Sequence, residues 1–163
     1  MIRKARTGDL DALLAVYAAA RRYMAQSGNP NQWGDGYPRR TLLEADIQAG
    51  RLYVLEEEGS VHGAFAFIIG DDPTYAVIEN GRWLNGDAYG TIHRLAGDGT
   101  ARGLFSRCLT FCQGIIPNIR ADTHHDNHTM QHLLEKHGFV RCGIIHVADG
   151  SPRIAYQLPA REA

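Results

Sequence analysis

The stretch from Tyr89 to Phe105 carries the chemistry that is easiest to read. An apolar strand pattern ends at Ala96, the run Gly97-Asp98-Gly99-Thr100-Ala101-Arg102-Gly103 follows, and a helical pattern begins. The first amides of a helix have no intrahelical acceptor, and the helix dipole is positive there. Glycines let a ligand approach the backbone closely. Such a turn can cradle a phosphate, with Arg102 adding a charge-assisted contact. The same pattern also serves as a plain structural turn. A second concentration of chemistry lies between His124 and His137, where five histidines fall. His128 and His132 are one helical turn apart, and His124 or Asp126 could complete a metal site. No HExxH motif supports that reading, and no metal is expected. No G-x-S-x-G elbow suggests a serine nucleophile. Cys108 and Cys112 share a helix face with apolar residues and read as core thiols.

Composition bounds the partners. The chain has 163 residues, 44% hydrophobic and 21% charged, with a formal net charge of -1. That length suits one domain over residues 1–163. Near-neutrality gives no global field for nucleic acid or an anionic membrane, so neither is an expected partner. The longest apolar stretch, Ala64 to Ile69, is far short of a span of ~20 residues. The N-terminal residues show no signal-peptide core, and three cysteines without a CxxC pair read as reduced thiols. The expected location is therefore cytoplasmic.

The elements that must position these residues follow from periodicity. Strands are predicted at Ile2 to Arg6, Arg51 to Glu57, Val61 to Ile69, Tyr75 to Ile78, Tyr89 to Ala96, Ile119 to Thr123, Phe139 to Val147 and Arg153 to Leu158. Helices are predicted from Asp9 towards Ser27, from Thr41 to Gln48 with a Thr41/Glu44 capping box, from Ala101 to Cys112 and from Asn127 to Lys136. Trp33 and Tyr37 lie in a Gly-rich loop, as a plug over the core or a lid over a pocket. Hairpins fill the first half and strand–helix–strand crossovers the second. The expected fold class is α/β, with a mixed sheet: an antiparallel N-terminal meander and a central parallel strand pair flanked by helices.

Two segments carry a family resemblance. Thr100 to Phe105 resembles the R/Q-x-x-G-x-G/A turn of the GCN5-related N-acetyltransferase (GNAT) superfamily. Asn127 to Phe139 resembles its N-x-x-A-x-x-L-Y-x-x-x-G-F helix, with Asn127, Leu133, Gly138 and Phe139 in register. The resemblance implies acetyl-CoA as cosubstrate and direct transfer of acetyl to a primary amine. It implies a splay between Tyr89–Ala96 and Ile119–Thr123 that holds the pantetheine arm. That arm would pair with backbone at Leu95, Ala96 and Gly97. The diphosphate would sit on the amides of Ala101, Arg102, Gly103, Leu104 and Phe105, with Asn127 near the thioester. Some members carry a catalytic carboxylate five residues before the Asn, which here is Asp122. The amide near Leu95 would receive the oxyanion.

His93 and His124 rival Asp122 as the base, because an imidazole near its ordinary pKa of ~6.5 suits that task. Two departures stand out. Phe105 adds bulk where Gly or Ala is usual, and Leu134 replaces the Tyr that protonates the departing thiolate. Both features also fit a catalytically weak acyl-CoA-binding module, and the His cluster leaves a metal-binding reading. The acceptor is a small-molecule or peptide amine, with Trp33, Tyr37, Trp83 and Tyr89 expected to line its site. The resemblance also allows a homodimer.

Overall fold

The structure is a computed structural model and describes residues 1–161. Seven strands form one mixed sheet: β1 (Ile2–Lys4), β2 (Leu52–Glu57), β3 (Ser60–Ile69), β4 (Gly90–Gly97), β5 (Ile119–Thr123), β6 (Val140–His146) and β7 (Pro152–Leu158). Their spatial order is β1-β2-β3-β4-β5-β7-β6. All neighbours are antiparallel except β4 and β5. Four helices cover the sheet: α1 (Leu10–Gln26), α2 (Arg40–Gln48), α3 (Leu104–Gln113) and α4 (His128–Lys136). Among the described residues, no helix is long and apolar enough to cross a membrane.

The two-residue period of β3 assigns the helices to faces. Ala64 and Ala66 are small and pack with Leu13, Tyr17 and Leu43 of α1 and α2. Phe65 and Phe67 point the other way and meet Phe105, Cys108 and Leu109 of α3 and Leu134 of α4. The loop between β3 and β4 folds onto the same face as α1 and adds a third cluster, with Tyr75 and Tyr89 over Ile145 and Ala155.

One irregularity shapes the centre of the sheet. Ala64 pairs with Ala96 and Ala66 pairs with His93, so β4 holds one residue more than β3 across this interval. That is a β-bulge, which bends the strand that carries it. Arg94 at the bulge has φ 54°. A non-Gly residue in this left-handed region costs on the order of 1 kcal/mol. Three contacts hold it there. The Tyr17 hydroxyl donates to the Arg94 carbonyl at 2.7 Å. The Arg94 guanidinium donates to Asp46 Oδ2 from Nη2 at 2.8 Å and from Nε at 3.1 Å. Asp46 is fully buried and also receives Arg51 Nε at 2.7 Å. Bent in this way, β4 pairs with β5 only at Gly90–Ile119 and Thr91–Arg120. Beyond those residues the two strands part.

Three expected elements differ. No strand forms at Tyr75 to Ile78: Pro73–Tyr75 is a 3-10 turn, and only Glu79 bridges Ile144. Pro73 lacks an N–H, and the Asp72 carboxylate captures the Thr74 N–H at 2.9 Å, which starts a helical turn. The Thr41/Glu44 capping box is absent. The helix begins at Arg40, and Glu44 pairs with Arg40 at 2.8 Å instead. The third helix begins at Leu104 and not at Ala101, because Gly103 takes the left-handed conformation with φ 63°.

Candidate active site

A cavity of about 710 Å³ opens where β4 and β5 part. Its walls are Ile92 to Leu95 on one side and Ala121 to Thr123 on the other. Phe105, Asn127, Met130 and Leu134 border it on the α3/α4 face. Trp33, Tyr37, Asp72 and Arg153 border it on the opposite face. The cavity therefore passes through the sheet, and two molecules entering from opposite faces would meet inside it.

On the α3/α4 face, the turn before α3 offers open amides. Its N-cap is Gly103, and no side chain caps the helix. Arg102 and Gly103 are exposed. The turn is drawn tightly against the sheet: a Cβ on Gly97 would meet Leu104 Cδ2 at 2.8 Å, and one on Gly63 would meet Leu104 Cδ1 at 2.7 Å. Leu95, Phe105 and Asn127 border the cavity, while Ala96, Gly97, Ala101, Arg102, Gly103 and Leu104 lie outside its walls, along β4 and the turn. The Phe105 ring is absorbed by the core, 4.9 Å from the His137 ring and 6.2 Å from Phe139. Its bulk is thus packed inward. Asn127 is also the N-cap of α4, accepting the Met130 N–H at 3.0 Å and donating to Gln32 Oε1 at 2.9 Å. These residues fit a phosphorylated, elongated ligand: unsatisfied amides at a helix start, then an apolar slot into the sheet.

The other face holds the titratable groups. His93 Nε2 lies 2.9 Å from Asp72 Oδ2. Burial raises the Asp72 pKa, but hydrogen bonds from His93 and from the Thr74 hydroxyl and amide outweigh it, leaving the pKa at about 2. Asp72 is therefore an ionised acceptor at neutral pH. An ionised acceptor takes the shared hydrogen from His93 Nε2. Beside this pair, the buried Tyr75 hydroxyl donates to Asp122 Oδ2 at 2.6 Å. Burial first, then the Asp122 carboxylate, push the Tyr75 pKa well above its ordinary value, so the phenol keeps its proton. The rings of Tyr75 and His93 are 6.2 Å apart, which brings both pairs to one place.

Trp33 and Tyr37 join this wall, with Trp33 packed on Tyr17 at 5.8 Å and on Tyr37 at 6.1 Å. The other two aromatics expected here do not. Trp83 and Tyr89 sandwich the Arg120 guanidinium at 4.1 and 3.9 Å, away from the cavity. A buried cation without a carboxylate needs those rings. Trp83 also donates to the Tyr75 carbonyl at 2.9 Å, and Tyr89 accepts the Asp72 N–H at 2.8 Å, so both support the wall from behind.

His124 is likewise off the cavity wall, beyond the last residue of β5. Its Nδ1 accepts the Asp126 N–H at 3.0 Å. Burial, then the charges of His125 and Arg153, lower its pKa. His124, His125 and Asp126 place ligand atoms within 4.8 Å of one another, whereas His128 and His132 take no part in that group. Cys108 and Cys112 are fully buried behind the α3 turn.

Sequence reasoning passed over Asp72, Tyr75, Asp46 and Arg153. Asp72-Pro73-Thr74 is a helix-start signal that reads equally well as a turn. Nothing in the local sequence pairs Asp72 with His93 or Tyr75 with Asp122, because both contacts depend on the folded loop.

The fold has solved counterparts. The chain is similar to an acetyltransferase of the GNAT family from Streptococcus agalactiae 2603, with 36% identity, a TM-score of 0.85, and coverage of 99% of this chain and 96% of that one. It shares its fold with an acetyltransferase of the GNAT family from Listeria monocytogenes 4b F2365, at 21% identity and a TM-score of 0.71, over 98% of this chain and 94% of that one. It also shares its fold with an N-acetyltransferase from Staphylococcus aureus Mu50, at 23% identity and a TM-score of 0.59, over 99% and 98%. No protein-family model matches the chain, and neither does any curated protein sequence. With the bulged β4, the parted β4–β5 pair and 36% identity along nearly the whole length of a solved relative, this chain belongs to the GNAT family of acetyltransferases.

Proposed function

We propose that this protein transfers an acetyl group from acetyl-CoA directly to a primary amine. The observation that carries the reading is the cavity through the parted β4–β5 pair, open to a helix N-terminus on one face and to paired titratable groups on the other. The diphosphate sits at the amides of Ala101 to Phe105, and the pantetheine arm runs into the gap along Leu95 to Gly97. The acceptor enters between Trp33, Tyr37 and the Tyr75 loop. Asp122, braced by Tyr75, attracts the ammonium form of the amine. His93, held in one tautomer by Asp72, takes a proton at Nδ1 and leaves a neutral nitrogen to attack the thioester carbon. The C–N bond forms as the carbonyl π pair moves to oxygen, where the Leu95 amide receives the charge. The oxyanion then collapses, the C–S bond breaks, and CoA leaves as a thiolate while the nitrogen gives up its second proton. Leu134 offers the thiolate no proton, and water relays to it the one released by the nitrogen.

The test is thiol release from acetyl-CoA over a panel of primary amines, with product mass confirmed. His93→Gln is expected to lower kcat/KM by roughly 100-fold, within the 10²–10⁴ range of general-base catalysis. Turnover retained in His93→Gln and lost in Asp122→Asn would move the base to Asp122.

A further inference from the structure

Resting on that reading, we infer that Arg153 binds a carboxylate of the acceptor, so that the acceptor is a small amino acid carrying amine and carboxylate together. Three arginines have little exposure in this fold, and two are held by protein groups, although the buried Arg120 Nε has no hydrogen-bond partner. Arg94 meets the Asp46 carboxylate, and Arg120 lies between two aromatic rings. Arg153 is 7% exposed and borders the cavity. It donates only to neutral carbonyls, to Pro152 at 2.9 Å and to Gln32 at 3.3 Å. Among the described residues it makes no ion pair. Asp149, also on the cavity wall, is engaged by the Ser151 N–H at 2.8 Å and hydroxyl at 2.5 Å. The Ser151 hydrogen bonds first, then the nearby Arg153 charge, lower the Asp149 pKa, yet among the described residues no carboxylate pairs directly with the guanidinium. A desolvated guanidinium without a directly paired carboxylate is costly, and its planar fork matches one.

Its position relative to the amine site is fixed by the sheet. Asp122 pairs with Ala155 across β5 and β7. Arg153 is two residues from Ala155 on β7, so Arg153 and Asp122 share a face as diagonal neighbours, roughly 7–8 Å apart between Cα atoms. A cation and a carboxylate side by side on one cavity wall are complementary to a molecule with an anion and an ammonium a few bonds apart. A plain amine would leave Arg153 unmatched, and a buried polar group left unpaired is how a site rejects an analogue that lacks its partner.

The experiment compares amino acids with their decarboxylated counterparts: glycine with methylamine, β-alanine with ethylamine, γ-aminobutyrate with propylamine. Thiol release is measured with the wild type, Arg153→Gln and Arg153→Lys. The wild type is expected to favour at least one amino acid over its plain amine by roughly 10- to 100-fold in kcat/KM, the range of a charge-assisted hydrogen bond. In Arg153→Gln that ratio collapses towards one, and Arg153→Lys retains part of it. Acetate, propionate and butyrate are expected to compete with the acceptor in the wild type, which decides the matter if Arg153→Gln does not fold. Equal use of plain amines by the wild type overturns the inference, as does a ratio that survives in Arg153→Gln. It is also overturned if Arg153→Gln raises the KM for acetyl-CoA while the ratio holds, because Arg153 then serves the donor. Acetyl-CoA binding with no amino acid turned over and no competition by carboxylates overturns it too. Failure of the acetyltransferase reading looks different: no binding of acetyl-CoA at all.

Discussion

Replacing Asp46 by Ala should damage both stability and the site, and the structure sets the size of the effect. The Asp46 side chain has no solvent exposure, and that of its partner Arg94 is 10% exposed. Removing one partner of a buried ion pair costs about 3–5 kcal/mol, because the remaining charge is stranded. Arg51, the second partner, is 38% exposed and largely solvated, so it adds little. Arg94 also carries the strained φ of the bulge, so losing its anchor removes part of what holds β4 bent. Urea unfolding measures the loss. With a slope of about 2 kcal/mol per molar for a small domain, the midpoint should fall by roughly 1.5–2.5 M. The double variant Asp46→Ala with Arg94→Gly removes the stranded charge and relieves the backbone, so it should recover stability relative to Asp46→Ala alone. A loss below about 1 kcal/mol, or a double variant less stable than the single one, would refute the argument that this pair holds the bulge.

Further outcomes follow from individual groups. Thr123 Oγ1 is buried without a hydrogen-bond partner, so Thr123→Val should raise stability by about 1 kcal/mol, read as a Tm increase of roughly 2–4 °C; a decrease would show that the hydroxyl is satisfied. Because the Asp72 pKa is depressed to about 2, its contribution is complete above the unfolded value of ~3.9 and is lost as pH falls through the folded one. Acid titration of stability should therefore fall less steeply below about pH 4 in Asp72→Asn, by on the order of 1 kcal/mol after allowance for solvent screening. Burial, then the neighbouring Cys112, push the Cys108 thiol well above its ordinary range, so the native protein should react with a thiol reagent at pH 8 far more slowly than the unfolded chain.

The sequence made the sheet centre legible because local chemistry specifies it. Gly97 is needed where the turn closes against Leu104, Gly103 where the chain takes a φ of 63° before α3, and Asn127 caps α4 with its own side chain. Those residues announce themselves by type and spacing. The bulge at Arg94 does not, since the groups that hold it, Tyr17 on α1 and Asp46 on α2, are far away along the chain. The candidate site is half legible for the same reason. His93, Asp122, Trp33 and Tyr37 are visible as candidates, but what orients them is not. Asp72 and Tyr75 lie in a segment whose composition reads as a turn and a strand, and only the folded loop brings them to His93 and Asp122. Trp83 and Tyr89 illustrate the reverse error. The sequence suggests a place in the acceptor pocket for both, whereas a buried Arg120 claims the two rings.

The central claim is that the parted β4–β5 pair receives acetyl-CoA, and a calorimetric titration of acetyl-CoA into the wild type tests it most directly. The account predicts binding at one site per chain, weakened at least 10-fold by Ala121→Phe, which fills the gap from β5 while leaving the α3 turn untouched. No heat at millimolar acetyl-CoA, or binding indifferent to Ala121→Phe in a folded variant, would contradict it.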